Sequence, residues 1–344
     1  MKTTLLIIIL LFCIMPNSTN AVESGESKQS SSLWIQPLAE NQYKLCWGFK
    51  NGIRIGLTPG VIRGLVTIHT TYEGQNPDVV LNFIAIEPIP KGERERGFSE
   101  LEKSDLDDKR GKRIWTSNDD KDLEPKDEKQ AATGIISNEN GIETLTVFLF
   151  VEPFNNQAKV YLQAKFYANN PQEVEITTYA RHDSKELENC IVTATMGNYA
   201  RLRNLYLKEG MVSSHQLWPD YTEHNFAPHQ FFEKSKMITG KNGYPYFIAS
   251  PDEKNPQDVS YVEGTARHWM YKGSPLTQYW YCKDADNTLQ GIVNARVVYW
   301  ASHHAIPGGI SCENFEMKKQ FKNGDRFVFG ISPLTAEKFI DEIK

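Results

Sequence analysis

The chain has little of what most catalytic and binding families advertise. No phosphate-cradling glycine loop, dinucleotide fingerprint, Gly-x-Ser-x-Gly elbow or helical His-x-x-x-His pair occurs in its 344 residues, which argues against nucleotide, nicotinamide, serine-esterase and zincin chemistry. Basic residues do not dominate. Lys and Arg number 38 against 43 Asp and Glu, a net charge of −5, whereas a nucleic-acid binder normally carries a basic face. After residue 15 no apolar run is long enough to cross a bilayer, and no internal repeat is visible.

Cysteine is scarce too. Of five, Cys13 lies in the N-terminal apolar run, and Cys46, Cys190, Cys282 and Cys312 are spaced far too widely for a zinc knuckle. Disulfides or buried thiols are the expectation, with three pairings open and no metal or other cofactor implied.

What is present begins with an export signal. Lys2 precedes an apolar stretch over residues 5–15, and small polar residues lead to Ala21, which predicts a signal peptide over residues 1–21. Bulky Phe12 before Cys13 argues against a lipoprotein site. Cleavage after Ala21 leaves 344 − 21 = 323 residues, expected to be secreted or periplasmic with no membrane span. Residues 22–32 are small and polar, a flexible lead-in, and one domain is expected over residues 33–344.

Strand signals recur along that domain, at residues 42–49, 52–57, 64–71, 79–86, 142–151, 158–167 and 173–179. They continue over 191–207, 244–250, 259–271, 277–281, 291–300, 309–317 and 326–331. Residues 91–133 interrupt the pattern with interleaved charge and read as a solvated, mobile insertion. Its Arg94, Arg96, Arg110, Arg113 and Trp115 are suited to covering a cleft, because long loops in compact domains are often functional. Residues 212–234 read as a structured loop. Helical spacing is clear only over 335–343, where Ala336, Phe339, Ile340 and Ile343 share a face. The fold class expected is all-β, an antiparallel β-sandwich of jelly-roll-like type with long loops and a short C-terminal helix.

Six of the eight histidines fall between residues 208 and 304, among four of the seven tryptophans. Aromatic faces stack on sugar rings, and imidazole, guanidinium and phenol groups bond hydroxyls and move protons, so a polysaccharide or oligosaccharide is the expected partner. Three segments carry the candidates. Residues 213–229 offer His215, Trp218, Tyr221, His224 and His229; residues 263–272 offer Arg267, His268, Trp269 and Tyr271; residues 299–309 offer His303 and His304 before two glycines. Arg201 and Arg203 add fork-shaped donors for carboxylates.

These tools suit β-elimination from a uronate-containing glycan by a polysaccharide lyase. Arg201 or Arg267 would clamp the carboxylate, His224 or His268 remove the C5 proton, and Tyr271 or Tyr221 protonate the leaving oxygen. His215, Trp218, His229, Trp269, Arg203, His303 and His304 would bind substrate. A glycoside hydrolase is the first alternative, drawing paired carboxylates from Asp220, Glu223, Glu263 and Glu313. A non-catalytic glycan-binding protein is the second.

Overall fold

Burial alternates along Val160–Tyr167, as in a strand with one buried face, whereas Val80–Pro90 and Thr277–Cys282 are buried on both faces. The computed structural model describes residues 33–37, 45–58, 62–70, 79–126, 130–197, 199–253, 255–263, 270, 276–300 and 302–344. In chain order the strands begin with β1 (Trp34–Ile35), β2 (Cys46–Phe49), β3 (Ile53–Thr58), β4 (Ile62–Thr70), β5 (Val80–Pro90) and β6 (Ile114–Ser117). Next come β7 (Ile135–Glu139), β8 (Ile142–Val151), β9 (Val160–Tyr167), β10 (Glu173–Ala180), β11 (Leu187–Thr195), β12 (Leu202–Leu207) and β13 (Gly210–Ser213). After the short helix α1 (Ser214–Leu217) follow β14 (Gln230–Glu233), β15 (Ile238–Thr239), β16 (Pro245–Pro251), β17 (Thr277–Cys282), β18 (Gln290–Arg296), β19 (Ser311–Lys318) and β20 (Asp325–Ser332). Helix α2 (Ala336–Ile343) ends the chain.

Two antiparallel sheets result. The first runs β1-β2-β3-β4-β5-β11-β19-β18-β14, and the second β13-β12-β16-β17-β20-β10-β9-β8-β6, with β15 on β16 and β7 on β8. Their inner faces share one apolar cluster, to which the first sheet gives Trp47, Ile84, Val192 and Phe315 and the second Val147, Phe247, Trp280 and Phe329. Phe247 stacks on Phe315 at 4.9 Å between centroids, and the Trp280 indole donates to the Phe315 carbonyl at 2.9 Å. Asn82 bonds Gln278 across the same interior at 2.7 Å, so its buried amide is satisfied. The expected all-β sandwich is therefore what forms. Helix α2 covers the outer face of the second sheet, its Phe339 stacked on Tyr279 at 4.3 Å.

Three expectations need correction. No disulfide joins the described cysteines. Cys190 and Cys312 lie toward opposite ends of the β11–β19 ladder, and Cys282 is on the other sheet. Burial pushes the thiols of Cys190, Cys282 and Cys312 up to about 12, so they are inert core residues. Next, residues 259–263 are irregular rather than a strand, and most of the predicted 259–271 segment lies outside the described residues. Finally, the charged insertion is not solvated throughout: Ser99, Ser104, Lys112 and Trp115 are buried. Trp115 belongs to β6 and stacks on Phe150 at 5.9 Å.

Candidate functional site

The packed part of that insertion makes a roof over the outer face of the first sheet. Ser99 Oγ donates to the Gly64 carbonyl at 2.5 Å and accepts from the Ile86 backbone at 3.0 Å. Gly64 has a φ of +74°, and a Cβ there would lie 1.8 Å from the Ser99 carbonyl oxygen, so only glycine admits the contact. Arg96 reaches down to the sheet and bonds Glu87 of β5 at 2.6 Å and Glu316 of β19 at 2.9 Å.

Between roof and sheet is a cavity of about 200 Å³. Its floor crosses adjacent strands: Glu87 from β5, Thr195 from β11, Glu313 and Asn314 from β19, and Asn294 from β18. Arg96, Phe98, Glu100 and Leu101 come from the roof, and Leu65, Met196, Phe226, His229 and Trp300 close the sides. The guanidinium of Arg110 lies 4.8 Å from the Trp300 ring centroid and that of Arg296 4.8 Å from the Phe226 ring, so both aromatic walls are propped by cations.

Glu313 reaches this cavity because of a β-bulge. Val293 pairs with Phe315 but Ala295 with Cys312, so Glu313 and Asn314 together oppose Asn294. Strict alternation from the core residue Phe315 would turn Glu313 inward; the extra residue shifts the phase and turns it out, returning Cys312 to the core. A chain of hydrogen bonds fixes the bulge. Thr195 Oγ1 bonds Asn314 Oδ1 at 2.6 Å, the Asn314 backbone donates to Asn294 Oδ1 at 3.1 Å, and Asn294 Nδ2 meets His229 Nε2 at 3.3 Å. The Gly197 amide holds the Glu313 carbonyl at 2.8 Å, and Met196 before it takes a left-handed φ of 63°. Such strain in a non-glycine residue is typical of constrained sites.

The charges are unevenly matched. Glu313 is 1% exposed, and among the described residues its Oε2 has no hydrogen-bond partner. Loss of water raises its pKa to about 8 despite Arg296, and the nearby Glu100 adds to the shift. Glu100, on the roof, is raised to about 7, again chiefly by burial. Glu87 stands well above the ordinary carboxylate value, through burial first and Glu316 second, against the pull of Arg96. His229 is lowered, first by desolvation and then by Arg96, which keeps its ring neutral near pH 7. The cavity thus sets a protonated acid in its floor beside a roof carboxyl that ionises near neutrality.

The residues singled out from the sequence go to several places. His229 lines the cavity, and Glu313 of the carboxylate alternative lies in its floor. Arg201 and Arg203 line a separate polar cleft of about 460 Å³ with Asp252, Glu253, Asp258 and Gly308. There Arg201 pairs with Glu253 at 2.8 Å under the Tyr261 ring, while Arg203 bonds Asp252 at 2.7 Å and the carbonyls of Pro307, Gly309 and Ile310. Arg203 is thus engaged through all three of its nitrogens. His215 bonds the Gly308 carbonyl at 3.1 Å beside that cleft. Trp218 is core, its indole spent on Pro228 at 2.8 Å. The Tyr221 hydroxyl donates to Asn225 at 3.0 Å, and exposed His224 contributes only a backbone carbonyl, to Arg296. His303 and His304 are exposed in the loop between Trp300 and Pro307, and Asp220, Glu223 and Glu263 are exposed as well. Arg267, His268, Trp269 and Tyr271 lie outside the described residues.

Sequence reading missed Glu87, Glu100, Asn294, Asn314 and Thr195. The one available signal was the insertion itself, whose Arg96 and Arg110 were expected near a cleft. Among the described residues no cluster of His, Cys, Asp or Glu fits a metal ion, and no helix is long and apolar enough to cross a membrane. No known family model matches the chain, and no curated protein matches it in sequence.

Proposed function

We propose that the protein is an exported glycoside hydrolase acting on a neutral glycan in the roofed cavity. The observation that carries the reading is the pair Glu313 and Glu100 on opposite walls of one aromatic-lined cavity, the first held at about 8 and the second at about 7. Glycoside hydrolysis needs one carboxylic acid to protonate the leaving oxygen and one carboxylate to act on the other side of the scissile bond. Glu313 is the acid and Glu100 the base or nucleophile. Trp300 and Phe226 supply ring faces for the sugar, and Asn294, Asn314 and His229 supply hydroxyl partners.

The β-elimination reading drawn from the sequence is the second proposal and finds less support. A lyase must neutralise a uronate carboxylate, yet Arg96, the guanidinium that lines this cavity, is already engaged by Glu87 and Glu316. A cation already paired with two carboxylates is poorly placed to clamp a third. A binding module without chemistry has no need of an acid kept protonated at neutral pH, which ranks that reading third.

One experiment separates the three. The purified protein is incubated with neutral and uronate-containing glycans while new reducing ends and the ultraviolet absorbance of unsaturated uronides are followed together. Reducing ends without absorbance support hydrolysis. Absorbance with an acidic glycan establishes elimination instead, and retention on a glycan with neither signal leaves a binding protein.

A further inference from the structure

We infer that Phe231 forms a second sugar-binding position just outside the cavity, stacking the residue next to the one held inside. The inference rests on the glycan reading above and extends it to oligosaccharides. Phe231 is 56% exposed, more than any other large apolar side chain among the described residues. Its place is set by strand alternation: Phe232 turns inward onto Phe247 at 5.8 Å, which leaves Phe231 on the outer face of β14. Scattered single exposed apolar residues are ordinary, and position decides here. The Phe231 ring lies 6.2 Å from that of His229, which lines the cavity and is tied to Asn294 in its floor. Phe226 at 43% and Leu101 at 37% border the same opening.

The size of the cavity requires such an outer position. A volume of about 200 Å³ is little more than the roughly 150 Å³ that accommodates benzene, so it holds one sugar ring and the neighbour must lie outside. Among the described residues strand β14 is the last of its sheet, so none of the described strands pairs with its outer edge. A planar apolar ring with no polar atom suits the apolar face of a pyranose, and stacking there adds binding without taking part in bond cleavage.

The test is Phe231→Ala and Phe231→Trp in the full chain, assayed on an aryl monoglycoside and on neutral cello-, xylo-, manno- and chito-oligosaccharides of two to six residues. The expected result is a loss of roughly five- to tenfold in kcat/KM on oligosaccharides with Phe231→Ala, carried by KM. Rates on the aryl monoglycoside stay unchanged, and Phe231→Trp restores the oligosaccharide rate. Equal losses on both substrates would show that Phe231 only props His229, and no loss on either would show that the ring is idle; each overturns the inference. If no substrate is cleaved, the hydrolase reading fails by itself, and oligosaccharide binding followed by tryptophan fluorescence decides: weakening by Phe231→Ala retains the position, while unchanged affinity or no binding removes it. Self-association abolished by Phe231→Ala, without any saccharide effect, would assign the ring to a contact between copies and also overturn the inference.

Discussion

Two neighbouring regions use charge in opposite ways. In the cleft of Arg201 and Arg203 both guanidiniums are buried and ion-paired, and Arg203 also engages three carbonyls. In the roofed cavity Glu313 is just as buried, yet one of its oxygens has no hydrogen-bond partner among the described residues. The same two loops build both regions. The turn from β11 to β12 gives Met196 to the cavity and Arg201 to the cleft, and the loop from β18 to β19 gives Trp300 to the first and Gly308 to the second. Tyr199 and Tyr299 stack between these loops at 4.8 Å. A paired buried charge fastens loops, whereas an unpartnered oxygen on a buried carboxyl is a cost that the fold sustains for some other purpose.

Glu313→Gln should lower glycan hydrolysis by about 10²–10⁴-fold, the usual contribution of a general acid, in steady-state assays at pH 7.5. The same variant should melt higher than the parent. A Glu with a pKa raised to about 8 favours the fold below the unfolded value near 4.5, and that advantage is lost as pH rises to about 8. Calorimetry should therefore show a gain of a few degrees for Glu313→Gln at pH 8 and little difference at pH 4.5. Equal melting temperatures at both values would mean that the carboxyl is not a buried, unsatisfied acid.

In the cleft the expected effect is on stability. Arg203→Ala removes a guanidinium that is 2% exposed and should cost about 3 kcal/mol, toward the lower end for a broken buried pair because Asp252 and Glu253 partly reach water. Urea unfolding measures it. Turnover per folded molecule should be preserved, and a selective loss of turnover would place the cleft in the chemistry.

The pH profile sharpens the same contrast. Activity should rise as Glu100 loses its proton near 7 and fall as Glu313 loses its own near 8, a narrow bell in kcat/KM. Glu100→Gln should remove the acid limb together with most of the rate. The smallest effects belong to the walls: Trp300→Ala should raise KM about tenfold, and Arg110→Ala, which removes an exposed cation over that ring, about twofold to fivefold.

Much of the fold was readable along the chain, because alternation is a local signal that any half-buried strand displays. The predicted stretches at 142–151 and 326–331 coincide with or fall within β8 and β20, and the helix expected over 335–343 is α2. The site was far less readable. Histidines and arginines crowded between residues 208 and 304 drew attention, but crowding in sequence is not proximity in space, and among the described histidines named there only His229 lines the cavity. Glu87, Glu100 and Glu313 come from segments more than two hundred residues apart at the extremes, and no local pattern links them. Glu313 was reached as one of four carboxylates, without any sign of its partner.

The amino-acid order by itself determined the two-sheet scaffold and its closing helix, since these follow from which residues prefer water and at what period. Only the tertiary structure decided where a carboxyl would lose its water: that depends on strand order, on one bulged residue opposite Asn294, and on the roof that Gly64 lets settle. Desolvation is a property of everything packed around a group, so it exists only once the distant segments have met.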